Sequence, residues 1–214
     1  MVVNSQKLLG STFAIYGAGG HARVAIEAAR AAGLAPTLVV DDHPKAHELS
    51  ELPVEAANSI QWEKLGPFRF IVAIGNNATR ARIFGELQGR GGTAETIIHP
   101  FSSISPSAKI GAGTVIFAGV VVNADATIGE NCILNTGCSV DHDGQIGPHS
   151  HLCPGVRLAG TVTIGERTML GTGAICIPGI TIGSDVTIGA GSVVVRNLPD
   201  HSKAYGNAAR IQKG

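Results

Sequence analysis

Three histidines fall close together in the run Val140-Asp141-His142-Asp143-Gly144-Gln145-Ile146-Gly147-Pro148-His149-Ser150-His151. Imidazole is the side chain whose ordinary pKa lets it take up a proton near neutrality. His142 stands between two carboxylates, Asp141 and Asp143. Either can fix the tautomer and leave the other ring nitrogen free to act as a base. Gly160 follows later in the chain, at a spacing from His142 that the repeat described below converts into stacking. A base with an unhindered N–H beside it suits acyl transfer, because the N–H stabilises the tetrahedral oxyanion. The rival chemistry is a zinc site built from His142, His149 and His151. The two flanking carboxylates favour a proton relay, so no metal is expected.

A second group of residues could hold phosphate. In Tyr16-Gly17-Ala18-Gly19-Gly20-His21-Ala22 the glycines lie between an apolar run and a helical pattern, and Asp41-Asp42 closes the next apolar run. Free N–H groups at a helix N-terminus favour a diphosphate, and a carboxylate at the next strand tip can accept bonds from a ribose or base. The spacing satisfies a dinucleotide fingerprint, but only one mononucleotide-binding half fits before the chain changes character, which argues against NAD.

That change of character sets the elements that must position these residues. From Ile98 to Val194 an aliphatic residue returns at every sixth position, Ile98, Ile104, Ile110, Ile116 and onward, with Cys176 the one departure. Gly often follows the aliphatic, and at the fourth position after it the side chain is small or branched, as at Thr114, Cys132, Ser150 and Thr168. This period fits a short strand plus a turn, repeated as the faces of a parallel β-helix. Three faces make one coil, so positions i and i+18 stack along the axis. The stretch from Ile98 to Val194 then makes between five and six coils. On that count the Gly160 amide stands one coil along the axis from the His142 imidazole. Neither His142 nor His151 occupies the inward ladder, and the three histidines span successive faces.

Residues 11–95 read instead as a small α/β domain. Strands are expected at Thr12–Tyr16, Pro36–Val40 and Phe68–Ile74, with helices at Ala22–Ala32 and Ala78–Gln88. Residues 43–67 give no assignable pattern. Ile97-Ile98-His99-Pro100 is expected to be the hinge, giving domains at 1–97 and 98–214.

Composition agrees with such a thin-layered chain. It has 214 residues, 29 glycines and 4% aromatics. Sixteen basic and sixteen acidic side chains cancel, which argues against a nucleic-acid surface. No apolar run approaches a membrane span. The start Met1–Lys7 lacks a signal-peptide h-region. The four cysteines form no CxxC pair. Reduced thiols in a cytoplasmic protein are the expectation.

The Tyr-Gly-Ala-Gly-Gly-His loop, Asp41-Asp42, Ile74-Gly75-Asn76-Asn77-x-x-Arg80, and a hexapeptide β-helix carrying Asn135 and Asp-His-Asp resemble the nucleotide-sugar acetyltransferases of bacterial glycan synthesis. The likeness is greatest to GDP-perosamine and bacillosamine-pathway N-acetyltransferases, with sialic acid O-acetyltransferases as more distant cousins. It implies a Rossmann-like domain followed by a left-handed β-helix, a homotrimer with active sites between subunits, and acetyl-CoA as co-substrate. It implies a nucleotide-linked 4-amino-4,6-dideoxyhexose as acceptor. His142 would be the base and Asp143 its orienting partner, with Asp141 a second candidate. Asn135 would contact the sugar near the amine. His151 would touch the acetyl carbonyl and the Gly160 amide the oxyanion. Gly17, Gly19, Gly20 and His21 would hold the diphosphate, while Asp41, Asp42, Gly75, Asn76 and Arg80 would surround the nucleoside. The CoA arm would run near Gly173, Ala174, Ile177 and Pro178. One departure is Ala208, where the family usually has Pro in Gly-x-Pro-Ala-Lys/Arg. It loosens the expected C-terminal cap and leaves a contact between Arg210 and a CoA phosphate open. A sugar O-acetyltransferase and a non-catalytic scaffold are the competing readings.

Overall fold

The structure, a computed structural model, describes residues 12–212. The start Met1–Lys7, read above for a signal peptide, lies outside the described residues. The chain divides into two compact units between Glu95 and Thr96.

The first unit runs β1 (Thr12–Tyr16), α1 (Gly20–Ala31), β2 (Leu38–Asp41), β3 (Glu48–Leu49), β4 (Leu52–Ala56), β5 (Phe68–Val72), α2 (Asn77–Gly89) and β6 (Thr93–Ala94). The sheet order is β3-β4-β2-β1-β5-β6. Every residue of β1 is buried, as expected of a central parallel strand covered on both faces. The β1–α1–β2 passage moves to one side of β1, and β5–α2–β6 moves to the other. The order therefore reverses between β1 and β5, and the space beyond their carboxyl ends is where open α/β sheets bind ligands. The aromatics concentrate here, with Trp62, Phe68, Phe70 and Phe84 in successive ring contacts. The unassigned stretch 43–67 holds the β3–β4 hairpin, and β4 pairs in parallel with β2. Leu52 and Val54 are buried in alternation, but the intervening Pro53 hides that period because Pro rarely sits inside a sheet.

In the second unit short strands recur at every sixth position from Ile97–Ile98 to Val193–Val194 and stack into three sheets. Residues one coil apart pair in parallel, as in Val121↔Ser139 and Val122↔Val140. The inward ladders Ile116, Leu134, Leu152, Leu170, Ile188 and Val122, Val140, Leu158, Cys176, Val194 are all buried. Each such side chain contributes about 1.5–3 kcal/mol of burial. At the first coil the pattern differs. Ile98 is 38% exposed while Ile97 is buried, because Ile98 belongs to the terminal layer with no earlier coil to cover it. Ile97–Ile98 also pairs with Val115–Ile116, so the expected hinge segment is already the first rung.

The small positions have a polar purpose. The Thr114, Ser150 and Thr168 hydroxyls donate to the carbonyls of Gly129, Gly165 and Gly183 at 2.8, 2.9 and 2.7 Å. They accept from the N–H groups of Cys132, Thr168 and Val186, so buried backbone groups at the corner are satisfied. The glycines after the aliphatics are required by contact. A Cβ on Gly147 would lie 2.6 Å from the Glu166 nitrogen. At the C-terminus Lys203–Tyr205 pairs with Thr187–Ile188 and with Arg210–Ile211. Despite Ala208, the cap is fastened by the Ala209 N–H donating to Val193 O at 2.7 Å and the Gly206 N–H to Ser192 Oγ at 3.0 Å.

Two glycine substitutions should move stability in opposite directions. Gly147→Ala overpacks adjacent coils and is expected to cost about 1–3 kcal/mol. Gly85→Ala, on the exposed face of α2 with open space around its Cβ, should gain about 0.5–1 kcal/mol. Urea unfolding followed by circular dichroism checks both signs.

Candidate active site

His142 lies in the corner turn after Val140, and the coils on either side fix that turn. Thr161 N–H donates to His142 O at 2.9 Å, and Asp143 N–H donates to Ala124 O at 3.0 Å. Asp143 adopts φ +58°, a left-handed conformation that Asp tolerates better than most residues. Its carboxylate Oδ2 lies 2.8 Å from His142 Nδ1. That hydrogen bond, and secondarily the charges of Asp141 and Asp143, raise the pKa of His142. Asp141 serves the backbone instead. Its Oδ1 accepts the His142 N–H and the Asn123 amide, both at 2.8 Å, and these bonds lower its pKa. Asn123 carries no motif, and only its place one coil before Asp141 could have signalled it.

Gly160 sits directly against the ring. A Cβ there would lie 2.4 Å from His142 Nε2 and 2.5 Å from Cε1. Among the described residues the Gly160 N–H makes no hydrogen bond. The structure thus brings together an imidazole oriented at Nδ1, its second nitrogen and a free amide.

Asn135 and His151 form a separate pair. Asn135 Nδ2 lies 3.3 Å from His151 Nε2. His151 is 8% exposed and pairs between Ile133 and Met169, in a different sheet from Val140. His149 packs with Asn131, 2.9 Å from its amide. The three histidines do not converge. Among the described residues no group of three or more His, Cys, Asp or Glu is placed to hold a metal. The four cysteines are free thiols, and burial pushes Cys138 and Cys176 up to about 12.

The corner of His142 continues along the axis through Gly160, Pro178 and Arg196, each one coil beyond the last. Beside it Ile177 and Val195 are 39% and 38% exposed. Arg196 and Arg210 line a cavity of about 430 Å³ together with Leu198, Ala209 and Ile211. Gly173 stands at a left-handed corner with open space at its Cβ. Ala174 departs from its expected place on the CoA path. Its side chain is in the core, its N–H donates to Gly171 O, and its carbonyl accepts from Arg157. Val195 and Arg196 share this corner and were not singled out from the sequence. Their place two coils on from Ala159 and Gly160 was the available signal.

In the first unit the glycine loop joins β1 to α1 at the switch point. Gly17 has φ +111°, and a Cβ would meet Ala73 O at 2.8 Å. Gly19 and Gly20 begin α1 with open space where side chains would be. Asp41 holds the loop. Its Oδ2 accepts the Ala18 N–H at 2.7 Å and its Oδ1 the His43 N–H at 2.9 Å. Asp42 Oδ1 accepts the Tyr16 hydroxyl at 2.5 Å. Burial and this contact raise the pKa of Tyr16. Gly75 and Asn76 are exposed, and the Asn76 amide oxygen caps α2 by accepting the Thr79 N–H. Arg80 departs from the nucleoside contact expected of it. It is fully buried, and its guanidinium donates to Ile74 O at 3.0 Å and Gly75 O at 3.4 Å. Burial, then the charge of Arg80, lower His21 to about 4. His21 is therefore neutral near pH 7.

Known proteins share this fold. The PglD N-terminal domain family matches residues 12–87, and the hexapeptide repeat of succinyl-transferase matches residues 161–196. A point variant of perosamine N-acetyltransferase from Caulobacter crescentus, solved with CoA and GDP-perosamine, is 42% identical with a TM-score of 0.91, over 95% of this chain and 97% of that one. The acetyltransferase domain of PglB from Neisseria gonorrhoeae FA1090, solved with acetyl coenzyme A, is 37% identical with a TM-score of 0.86, over 94% and 98%. UDP-N-acetylbacillosamine N-acetyltransferase from Bacillus subtilis (strain 168) is 40% identical over 110 residues, 49% of this chain and 50% of that enzyme, so the match spans about half of that relative's length. With near-complete coverage at this identity, the chain belongs to the hexapeptide-repeat nucleotide-sugar N-acetyltransferase family.

Proposed function

We propose that this chain transfers the acetyl group of acetyl-CoA to the 4-amino group of a nucleotide-linked 4-amino-4,6-dideoxyhexose. The observation that carries the reading is the packing of His142, oriented by Asp143, against the free amide of Gly160. The free amine attacks the thioester carbonyl, His142 Nε2 takes the proton as the C–N bond forms, and the tetrahedral intermediate expels the CoA thiolate. The Gly160 N–H stabilises the oxyanion. Asp143 stabilises the imidazolium that forms.

The CoA arm would follow the edge from Gly160 past Ile177, Pro178 and Val195, with its phosphates toward Arg196 and Arg210. Two steps from Gly160 to Arg196, at the ~4.8 Å spacing of neighbouring strands, span about 10 Å. The nucleotide would lie at the switch point, its diphosphate on the backbone amides of Gly19 and Gly20. Asp42 Oδ2 would be available to the nucleoside, with Asp41 and Arg80 supporting the loop from behind. A homotrimer with active sites between subunits is part of this reading. It would bring the His142 edge of one copy to the Asn135–His151 face of another, two groups that stand on separate sheets of one chain. A cytoplasmic location would supply acetyl-CoA, and no helix among the described residues is long and apolar enough to cross a membrane.

Thiol release from acetyl-CoA with GDP-perosamine, and in parallel with a UDP-4-amino-4,6-dideoxy sugar, tests the reaction. Turnover with neither amine, but with a hydroxyl sugar, would replace it by O-acetylation. His142→Ala should lower kcat by about 10²–10⁴ with a much smaller change in KM. Wild-type turnover in that variant would remove His142 from the mechanism. Gly160→Ala should fold and lose at least about tenfold in kcat, since the methyl displaces the ring.

The acid limb of the pH–rate profile follows from the raised pKa of His142. The base is active only when neutral, so kcat/KM should fall as pH drops through a value above 6.5. Asp143→Asn removes the largest cause of the shift and should move that limb to lower pH while reducing the plateau. An NMR titration of the His142 ring checks the same displacement without turnover.

A further inference from the structure

We infer that Asn135 and His151 work as one hydrogen-bonded unit in which His151 is a positioning residue and Asn135 presents the donor to the ligand. The inference deepens the proposed reaction and rests on it for the identity of that ligand, the acetyl donor with its acceptor. It departs from the direct contact between His151 and the acetyl carbonyl that the family resemblance implies.

The orientation of the Asn135 amide decides the matter. Thr136 N–H donates to Asn135 Oδ1 at 2.8 Å, and the Thr136 hydroxyl approaches the same oxygen at 3.4 Å. A flipped amide would set its NH2 against the Thr136 N–H, two donors face to face, so the oxygen must stay where it is. The atom facing His151 is consequently Nδ2, at 3.3 Å from Nε2. An NH2 group only donates, so His151 Nε2 is the acceptor and the ring proton resides on Nδ1.

Nδ1 in turn is enclosed, with essentially no exposed surface. One ring nitrogen thus accepts from Asn135 and the other points into the fold. The backbone holds both residues in register. His151 N–H donates to Thr168 O and Asn135 N–H to Leu152 O, both at 2.9 Å. The second Asn135 Nδ2 hydrogen is the donor that can reach a ligand, and Asn135 is only partly buried.

The test is a long-range ¹H–¹⁵N correlation of the histidine rings in the full-length protein, with His151 assigned from the signal lost in His151→Gln. The expected result is a protonated Nδ1 and an unprotonated Nε2, unchanged on adding acetyl-CoA. A proton on Nε2, either before or after acetyl-CoA is added, overturns the inference. In Asn135→Leu the preference for Nδ1–H should weaken, and thiol release should fall by about tenfold to a hundredfold. His151→Gln, whose amide oxygen can accept the same bond, should retain more turnover than Asn135→Leu, and the reverse order also counts against the inference. Thiol release by the wild-type sample reports separately on the reaction. If it turns over while Nε2 carries the proton, the inference fails and the reaction stands. If it shows no acetyl transfer with any amino sugar, the reaction fails first.

Discussion

The hydrogen bond from a backbone N–H to a carbonyl in the next coil is the interaction on which the second unit depends. It fixes which residue stacks on which, so each side chain has a set neighbour one coil away. Hydrophobic ladders, buried hydroxyls and glycine contacts are consequences of that register. The grouping around His142 is another. Gly160 stands against His142 because Thr161 N–H binds His142 O, and Asn123 reaches Asp141 by the same rule one coil earlier. Precision here comes from repetition of backbone bonds, which do not depend on side-chain identity.

The first unit meets a different requirement. A helix start is left open here, and side chains near it are turned to support. Asp41 binds the loop amides at Ala18 and His43, and Arg80 is enclosed to hold the carbonyls of Ile74 and Gly75. Both charged residues act on the shape of the loop. The division has a physical reason, since backbone amides can approach a phosphate only where no Cβ stands in the way.

Much of this was legible in the sequence. The hexapeptide period revealed the inward ladder, the small buried column and the required glycines, because in a stacked coil one position has one environment. The His142–Gly160 juxtaposition followed from the same count. The β3–β4 hairpin was not legible, since β3 is confined to Glu48–Leu49 and Pro53 interrupts the alternation of β4. Arg80 and Ala174 were misread because a motif records which residues occur together and not which way they face. The burial of an arginine against two carbonyls leaves no periodic trace. Nor was the grouping of His151 with Asn135 visible, because the residue stacked on Asn135 is Cys153 and the contact runs diagonally to its side.

The left-handed turn at Asp143 narrows the chemistry open to this edge. An ion pair between consecutive residues forms only if the second carboxylate folds back over the first ring, and φ +58° provides that reversal. Side chains that occupy this conformation at little cost are Gly, Asn and Asp. Of these, Asp alone carries charge. The pairing of His142 with its acid is thereby tied to a corner whose shape is dictated by the coil, the same left-handed turn that Asp125 makes one coil earlier and Thr161 one coil later. A more or less basic imidazole at this edge is open to change through the surroundings of the pair, through Asn123 and Asp141, without remaking the corner.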